Sequence, residues 1–281
     1  MPKGSLIVVG SGIQVYTQIT AETEKDIRVA AKLFYLLPPP WAKNWMISLN
    51  STAESLGPYD EIENNQIQAQ MVEKIVRAVR SGLRVCVVLY GHPGIGHGVG
   101  WQAINLARDE GFAAHMVAAV SAEDCLFAEL GIDPAVAGYQ SFDAVRFLLR
   151  KRQFDPQSNL VLTHLGQITQ LGTIEVVQKA LVMLTQRLSD VYGIRYQVTV
   201  YDASPLPDDP SRMRSISLQD LPEVDLRPTS MLFVASLEEA PIDSDILNTL
   251  GLGAGQEGPP TLAPLPPVST NSPPPQMDQS T

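Results

Sequence analysis

The stretch Val87-Val88-Leu89-Tyr90-Gly91-His92-Pro93-Gly94-Ile95-Gly96-His97-Gly98 joins an apolar run to a loop rich in glycine. A continuous run of apolar, largely branched residues is typical of a strand that is buried on both faces of a sheet. Glycine weakens regular structure, so its density in the following loop indicates that the main chain passes close to another group. The stretch therefore predicts a buried strand that leads into a binding loop.

A second glycine turn follows the first predicted strand, Leu6–Val9, where Gly10 and Gly12 would allow a ligand to approach the backbone. The dinucleotide-binding pattern G-x-G-x-x-G is incomplete, because Val15 occupies the position of the third glycine. This departure disfavours a hydride-transfer cofactor. A tight turn between a strand and a helix, without any ligand, remains the alternative.

A third segment, Ala119-Val120-Ser121-Ala122-Glu123-Asp124-Cys125, places small residues at the start of a predicted helix. Ser121 with Asp124 three positions later indicates a helix N-cap with an acidic residue in the first turn. Small side chains leave room for a flat ligand, and the amides of a helix start can hold polar groups.

Predicted strands and helices alternate along the chain, which indicates an α/β protein with largely parallel sheets covered by helices. Proline at 38–40 would end the first helix. The predicted strands are Leu6–Val9, Arg84–Tyr90, Ala113–Met116, Asn159–Leu162, Gln197–Tyr201 and Ser230–Ala235. The predicted helices are Thr23–Leu36, Gln66–Ser81, Gly100–Glu110, Ala122–Leu130, Phe142–Lys151 and Ile174–Tyr192.

The chain has 281 residues, of which 44% are hydrophobic and 18% are charged, and this composition predicts a globular protein of one large or two small domains. Its formal net charge of −10 argues against nucleic acid or an anionic membrane surface as a partner. Two cysteines support neither a disulfide framework nor a zinc site, which favours the reducing cytoplasm. The segment Gly258–Thr281 contains eight prolines, and we expect it to be a disordered tail.

The order of three motifs resembles the tetrapyrrole methylase superfamily: the Gly10–Gly12 turn, then Tyr90–Gly94, then Val120–Pro134. Within that superfamily the run Ser121–Pro134 is most similar to the borosin peptide backbone α-N-methyltransferases, especially the split type whose precursor peptide is a separate chain. The similarity extends over about residues 4–255.

The resemblance implies two α/β domains, residues 1–117 and 118–240, with S-adenosylmethionine in a cleft between them. A short C-terminal helix in 241–257, a homodimer and a separate precursor peptide are implied as well. The residues that would border the cofactor are Gly10, Tyr90, His92, Pro93, Gly94, Ile95, Ser121, Ala122, His164, Tyr201, Ala203 and Ser230.

Methylation of an amide nitrogen requires its proton to be removed, so hydroxyl groups near the acceptor are candidate catalytic groups. We expect Tyr59 first, and then Tyr90 and Tyr16. Asn64 and Gln68 occupy positions where the resemblance implies an arginine and a tyrosine, which favours two alternatives: a different small methyl acceptor, or a pseudoenzyme that binds without turnover. No metal site is expected, because the glycine spacing around His92 and His97 preforms no ligand geometry.

Overall fold

The computed structural model describes residues 4–38, 42–59, 65–96 and 98–252, and these contain two five-stranded sheets with flanking helices. The strands are β1 Ser5–Gly10, β2 Lys32–Leu36, β3 Glu54–Ser55, β4 Arg84–Leu89, β5 Ala113–Met116, β6 Tyr139–Asp143, β7 Asn159–Thr163, β8 Gln197–Asp202, β9 Arg212–Ser217 and β10 Met231–Val234. The helices are α1 Ala21–Val29, α2 Ala42–Leu49, α3 Asn65–Arg80, α4 Gly98–Asp109, α5 Ala122–Leu130, α6 Pro134–Ala137, α7 Ala144–Leu149, α8 Ile174–Tyr192 and α9 Ser244–Leu250. Two 3₁₀ helices span Leu165–Gln170 and Leu218–Glu223.

The first sheet has the strand order β3-β2-β4-β1-β5, and each of its four pairings is parallel. Its central strands are apolar and almost fully buried, as expected for strands covered on both faces. Alternate β4 residues face opposite cores: Val85, Val87 and Leu89 pack with α3 and α4, whereas Cys86 and Val88 pack with α1 and α2. Helices therefore cover both faces of the first sheet.

The second sheet has the order β6-β7-β10-β8-β9 and is mixed. Strands β6 and β7 are parallel, whereas β10 runs antiparallel to both of its neighbours, β7 and β8. Helix α8 packs on this sheet through Leu181, Leu184 and Leu188, which the helical repeat places on one face. The α/β prediction is confirmed, and its parallel arrangement holds for the first sheet rather than for both.

Two predicted helices were partly wrong. Thr23–Leu36 divides into α1, which ends at Val29, and the buried strand β2, Lys32–Leu36. Phe142–Lys151 likewise begins with the end of β6 before α7 starts at Ala144. A short apolar run fits either a strand or a buried helical turn, so periodicity alone could not separate the two.

The chain forms two compact units. After most of the second unit has been built, one segment returns to the first unit. The described residues up to Cys125 belong to the first unit together with Asp202–Arg212, and those of Leu126–Tyr201 and 213–252 belong to the second. The predicted domains, residues 1–117 and 118–240, are two continuous ranges and therefore do not describe the return of Asp202–Arg212 to the first unit. The predicted tail, 258–281, lies outside the described residues. No helix in the described part of the chain is long and apolar enough to cross a membrane.

Candidate functional site

The carboxyl ends of β1 and β4 mark the point where chain connections leave the first sheet in opposite directions. Strand β1 lies between β4 and β5, and it continues through α1 to β2, whereas β4 continues through α4 to β5. Because α1 and α4 cover opposite faces, the chain turns to opposite faces of the sheet after these two loops. Ligands of open α/β sheets bind at such a position.

These two connecting loops are tied to each other by main-chain contacts. The backbone N–H of Gly91 donates to the carbonyl O of Gly12 at 3.0 Å, and Gly12 has a left-handed φ of +70°. A Cβ added to Gly10 would lie 2.2 Å from the carbonyl O of Gly91 and 2.7 Å from Cδ of Pro93. Glycine at position 10 is thus explained by a close approach of the protein's own backbone, and its predicted contact with a cofactor stays a prediction.

The loop after β4 has a defined internal structure. The imidazole Nδ1 of His92 accepts the backbone N–H of Gly94 at 3.1 Å, and the carbonyl O of His92 accepts that of Ile95 at 3.1 Å. The indole N–H of Trp101 donates to the carbonyl O of Gly94 at 3.3 Å. Pro93 is buried, whereas the Ile95 side chain is exposed. The loop is therefore held from within and from α4, with its tip at the surface.

The start of α5 carries the predicted N-cap. The Ser121 hydroxyl and backbone N–H each donate to Oδ2 of Asp124 at 2.7 Å, and the Asp124 N–H donates to the Ser121 hydroxyl at 3.2 Å. This reciprocal arrangement is a capping box with aspartate in the acidic position. Ser121 is buried, and the neighbouring Ala122 packs against the core that covers the α1 side of the first sheet. The predicted cap is confirmed.

The segment that returns to the first unit adds Ala203 to the same region. Its backbone is anchored where the carbonyl O of Pro205 accepts the N–H of Val15 at 3.1 Å. Ala203 packs against the core cluster that includes Tyr90, and Ala122 packs against it too. The first unit therefore gathers the predicted residues from the loops after β1 and β4, the start of α5 and the end of β8.

Two of the three candidate tyrosines lie together. The rings of Tyr59 and Tyr90 pack edge to face with their centroids 6.2 Å apart. Burial raises the pKa of Tyr90 above its usual range, and the nearby Tyr59 adds to the shift. Tyr90 is thus protonated at neutral pH. Tyr16 is more exposed and packs on Trp45, with ring centroids 5.1 Å apart.

The remaining predicted residues lie at one edge of the second sheet. His164 follows the end of β7, Tyr201 lies near the end of β8, and Ser230 precedes β10. They share an edge because β10 is antiparallel to β7 and β8, with Met231 opposite Tyr201. The Tyr201 hydroxyl donates to a carboxylate oxygen of Glu129 at 2.8 Å, and the Ser230 hydroxyl accepts the N–H of Arg227 at 2.8 Å.

Sequence reasoning missed two side chains that contact predicted site residues: Trp101 contacts Gly94, and Asp143 contacts His164. Trp101 anchors the loop after β4, as described above. Asp143 ends β6 next to His164, and its carboxylate lies 3.4 Å from Nδ1 of the imidazole. An aspartate before an apolar helical run is an N-cap signal that could have drawn attention to Asp143. Gln68 is held by Gln102 through a 3.1 Å amide hydrogen bond, whereas Asn64 and His97 lie outside the described residues.

Comparison with known proteins identifies the family. The model of the Tetrapyrrole (Corrin/Porphyrin) Methylases matches residues 5–196. The chain belongs to this family. A solved structure of uroporphyrin-III-C-methyltransferase from Thermus thermophilus shares the tetrapyrrole methylase fold with a TM-score of 0.59 at 18% identity, covering 83% of this chain and 93% of that one.

Curated relatives of this chain carry names that combine an enzyme with its peptide. The methyltransferase/ribosomally synthesized cyclic peptide gymnopeptides precursor of Gymnopus fusipes is 32% identical over 91% of this chain and 63% of its own length. The methyltransferase/ribosomally synthesized type I borosin cyclic peptide precursor of Mycena rosella is 32% identical over 89% of this chain and 65% of its own. This chain spans less than two thirds of either relative. The predicted resemblance to the family and to borosin proteins is confirmed.

Proposed function

We propose that this chain is an S-adenosylmethionine-dependent methyltransferase that acts on backbone amide nitrogens of a peptide on a separate chain. The observation that carries the proposal is the pair of joined glycine loops, after β1 and β4, at the edge of the first sheet where ligands of such sheets bind. The family and the names of the curated relatives support the same reaction class.

The residues at this edge fit a nucleoside cofactor. Ala122 and Ala203 have small side chains, and Gly94 has none, so a flat ring system can approach them closely. A Cβ on Gly94 would lie 3.2 Å from both the His92 ring and the Met116 sulfur, so any side chain there would crowd these two groups. When bound, S-adenosylmethionine supplies a methyl group on a positively charged sulfur.

Within this proposal the cofactor is held by the predicted set of binding residues. In the first unit these residues are Gly10, Tyr90, His92, Pro93, Gly94, Ile95, Ser121, Ala122 and Ala203. His164, Tyr201 and Ser230 belong to the predicted set as well. The capping box fixes the Ser121 hydroxyl, and Trp101 fixes the carbonyl of Gly94. Such prior ordering reduces the entropy lost when donor and acceptor are aligned.

The buried Tyr90 hydroxyl keeps its proton, because burial raises its pKa, and it serves as a hydrogen-bond donor to the carbonyl oxygen of the acceptor amide. Tyr59 packs against Tyr90 and orients its ring. The chain works as a homodimer in the same proposal, which size-exclusion chromatography with light scattering tests directly.

A different acceptor, or binding without turnover, is the second candidate function. The second candidate is favoured by the side chain of Gln68, which accepts a hydrogen bond from Gln102. An amide side chain supplies neither a base nor a cation. A methyltransferase with a more reactive acceptor needs neither.

Two measurements test the proposed function. Calorimetry should show binding of S-adenosylmethionine and of its demethylated product, and binding of neither by folded protein would refute it. Co-expression with short peptides encoded beside its gene should add methyl groups, seen as 14-dalton increments and located on backbone nitrogens by fragmentation. Binding without any increment in these peptides would instead support the second candidate. The segment 258–281 should stay unmodified, since its eight prolines have no amide hydrogen to replace and separate only short apolar stretches.

A further inference from the structure

A cluster of cationic side chains follows helix α7 in the second unit. Residues 144–154 include Arg146, Arg150, Lys151 and Arg152 and contain no acidic residue. The last three of these cations are adjacent in the chain, and all three side chains are exposed. Because the whole chain has a formal net charge of −10, these three residues locally reverse its charge. Arg150, Lys151 and Arg152 are called the basic cluster below.

Cations at the end of a helix often serve the helix itself, because they interact with its last carbonyl groups. At the end of α7 another residue does this. The guanidinium of Arg187, on α8, donates to the carbonyl O of Phe147, and also to those of Arg150 at 2.8 Å and Arg152 at 2.6 Å. These carbonyl groups therefore do not depend on the side chains of the basic cluster.

The same contacts fix the backbone that carries the basic cluster. The N–H of Arg152 donates to the carbonyl O of Arg150 at 2.9 Å, which closes a tight turn. The guanidinium of Arg152 lies over the ring of Phe142, 5.3 Å from its centre. The side chains of the basic cluster, together with Gln153, line one open depression of about 700 Å³. They therefore face a common surface on a backbone that is already ordered, which lowers the entropy lost on binding.

The basic cluster has no anionic partner in the part of the chain that the structure describes. The ion pairs found there involve other cations, and none of the three side chains contacts a carboxylate. A guanidinium group binds a carboxylate through two parallel hydrogen bonds, and an ammonium group binds it as a point charge. Two arginines and one lysine on one surface are thus suited to several carboxylates at once.

We propose that the basic cluster is a docking surface for an acidic segment of a polypeptide partner. Carboxylates are the anions that a polypeptide offers, and a short run of glutamate or aspartate complements three adjacent cations. Leu149 directly precedes the cluster and is 71% exposed, so a partner can bury an apolar side chain beside the charges. The inference concerns the second unit alone, and it stands whether or not the chain methylates a peptide.

A polypeptide suits this surface better than a nucleic acid or an anionic membrane does. Both of these present many charges over a large area and bind to extended basic surfaces. Beyond the basic cluster, the net charge of −10 would repel them. An acidic segment of a few residues meets the cluster without this repulsion, because it is short.

Fluorescence anisotropy of labelled hexaglutamate, measured with the full chain at low salt, tests the surface. The wild type should bind this peptide and should not bind labelled hexaglutamine, which lacks the charges. R150Q/K151Q/R152Q should weaken the binding at least about tenfold, since three exposed ion pairs are lost together. Failure of the wild type to bind hexaglutamate, or wild-type affinity in this variant, would overturn the proposal.

The matched control is K25Q/K43Q/R195Q. It removes three exposed cations outside the basic cluster and changes the net charge by the same amount. Its affinity for hexaglutamate should stay within about twofold of the wild type. Both triple variants should keep the wild-type melting temperature, because the replaced side chains are exposed. Equal losses of affinity in the two variants would show that net charge alone attracts the peptide, and the docking surface would be refuted.

Competing occupants are tested with the same variants. Single-stranded DNA of six nucleotides and vesicles that contain phosphatidylserine should bind more weakly than hexaglutamate. Tighter binding of either, lost in R150Q/K151Q/R152Q, would assign the surface to that class of partner instead. Light scattering should show the same oligomeric state for this variant and the wild type. Self-association that only the wild type shows would place a second copy of the chain on the surface and so contradict the proposal.

Discussion

The backbone N–H of Gly91 donates a hydrogen bond to the carbonyl O of Gly12 over 3.0 Å, which joins the loops that follow β4 and β1. Each loop alone would be a glycine-rich connection with little to hold its shape. The hydrogen bond between them couples the two loops, so a substitution in one loop should also shift the backbone of the other.

We expect Gly10→Ala to destabilise the fold. The new Cβ would lie 2.2 Å from the carbonyl O of Gly91, a main-chain atom that cannot rotate away. The free energy of unfolding should fall by about 3 kcal/mol, as for severe overpacking, when measured with urea. Gly98→Ala is the control, because its Cβ would meet the flexible amide ends of Gln68 and Gln102. Equal losses in both variants would show that the contact with Gly91 is not the cause.

Gly94→Val should abolish binding of S-adenosylmethionine and leave the fold nearly intact. The Cβ position is 3.2 Å from the His92 ring and from the Met116 sulfur, so we expect the branched side chain to press on both and to shift the loop. Because Gly94 is only half-buried, the melting temperature should fall by a few degrees at most. Calorimetry measures the affinity, and wild-type affinity in this variant would show that the loop has no part in binding.

Asp124→Ala removes the acidic member of the capping box on α5. The backbone N–H and the hydroxyl of Ser121 both lose their acceptor, and Ser121 is buried. The expected loss is about 1 kcal/mol of unfolding free energy. Asp109→Ala, at the exposed end of α4, also removes one negative charge and should have little effect. The prediction fails if the two variants unfold at the same urea concentration.

Arg187→Lys should destabilise the second unit. The guanidinium donates to the carbonyls of Phe147, Arg150 and Arg152 at the end of α7, and it lies 4.2 Å from the centre of the Phe147 ring. Lysine has no planar fork to reach three carbonyls at once, so a loss of about 2 kcal/mol is expected. Arg195→Lys, at an exposed position, serves as the control for denaturation. An unchanged midpoint in R187K would contradict the bridging role.

Tyr192→Phe should stabilise the protein by on the order of 1 kcal/mol. The Tyr192 hydroxyl is buried, and no hydrogen-bond partner reaches it within the described residues. Burial raises its pKa to about 12, with Tyr196 and Asp155 adding to the shift. Below the unfolded pKa of about 10, Tyr192 is protonated in both states and its titration leaves the free energy of unfolding unchanged. Between about pH 10 and 12 only the unfolded chain ionises, so the free energy of unfolding of the wild type falls as the pH rises through this window.

Denaturation at pH 7 and at pH 11 measures both effects in Y192F. The variant should lose less stability between the two values than the wild type does. Ser189→Ala is the control, because it also removes a buried hydroxyl that no hydrogen-bond partner reaches within the described residues, but one that does not titrate. A steeper loss in Y192F than in the wild type would reverse the sign of the argument.

Much of the fold could be predicted from the sequence, because the long helices and buried strands have clear periodicity. The predicted bounds of β5, α5 and α8 coincide with the observed ones. Strands β2, β3, β6 and β9 were not predicted. Strand β2 is a short buried run that follows α1, and β6 lacks strong apolar alternation. Local pattern cannot distinguish such runs from helical turns.

The candidate site was predictable only where local sequence determines local structure. The capping box at Ser121 is an example, since all its atoms lie within one turn. The shared edge of His164, Tyr201 and Ser230 depends on the antiparallel direction of β10, and the neighbour of His164 depends on the register of β6 with β7. Strand direction and register are set by the whole sheet, so the pattern around each residue does not contain them.

The return of Asp202–Arg212 to the first unit has a consequence for biosynthesis. Pro205 supplies the carbonyl that pairs with the amide of Val15, and Ala203 fills part of the core around β1. Residues up to Cys125 therefore leave the ribosome before Asp202–Arg212 has been synthesised. The first unit can complete its fold only after more than seventy further residues have been translated. A gene fragment cut at Cys125 would encode a half that lacks this piece altogether.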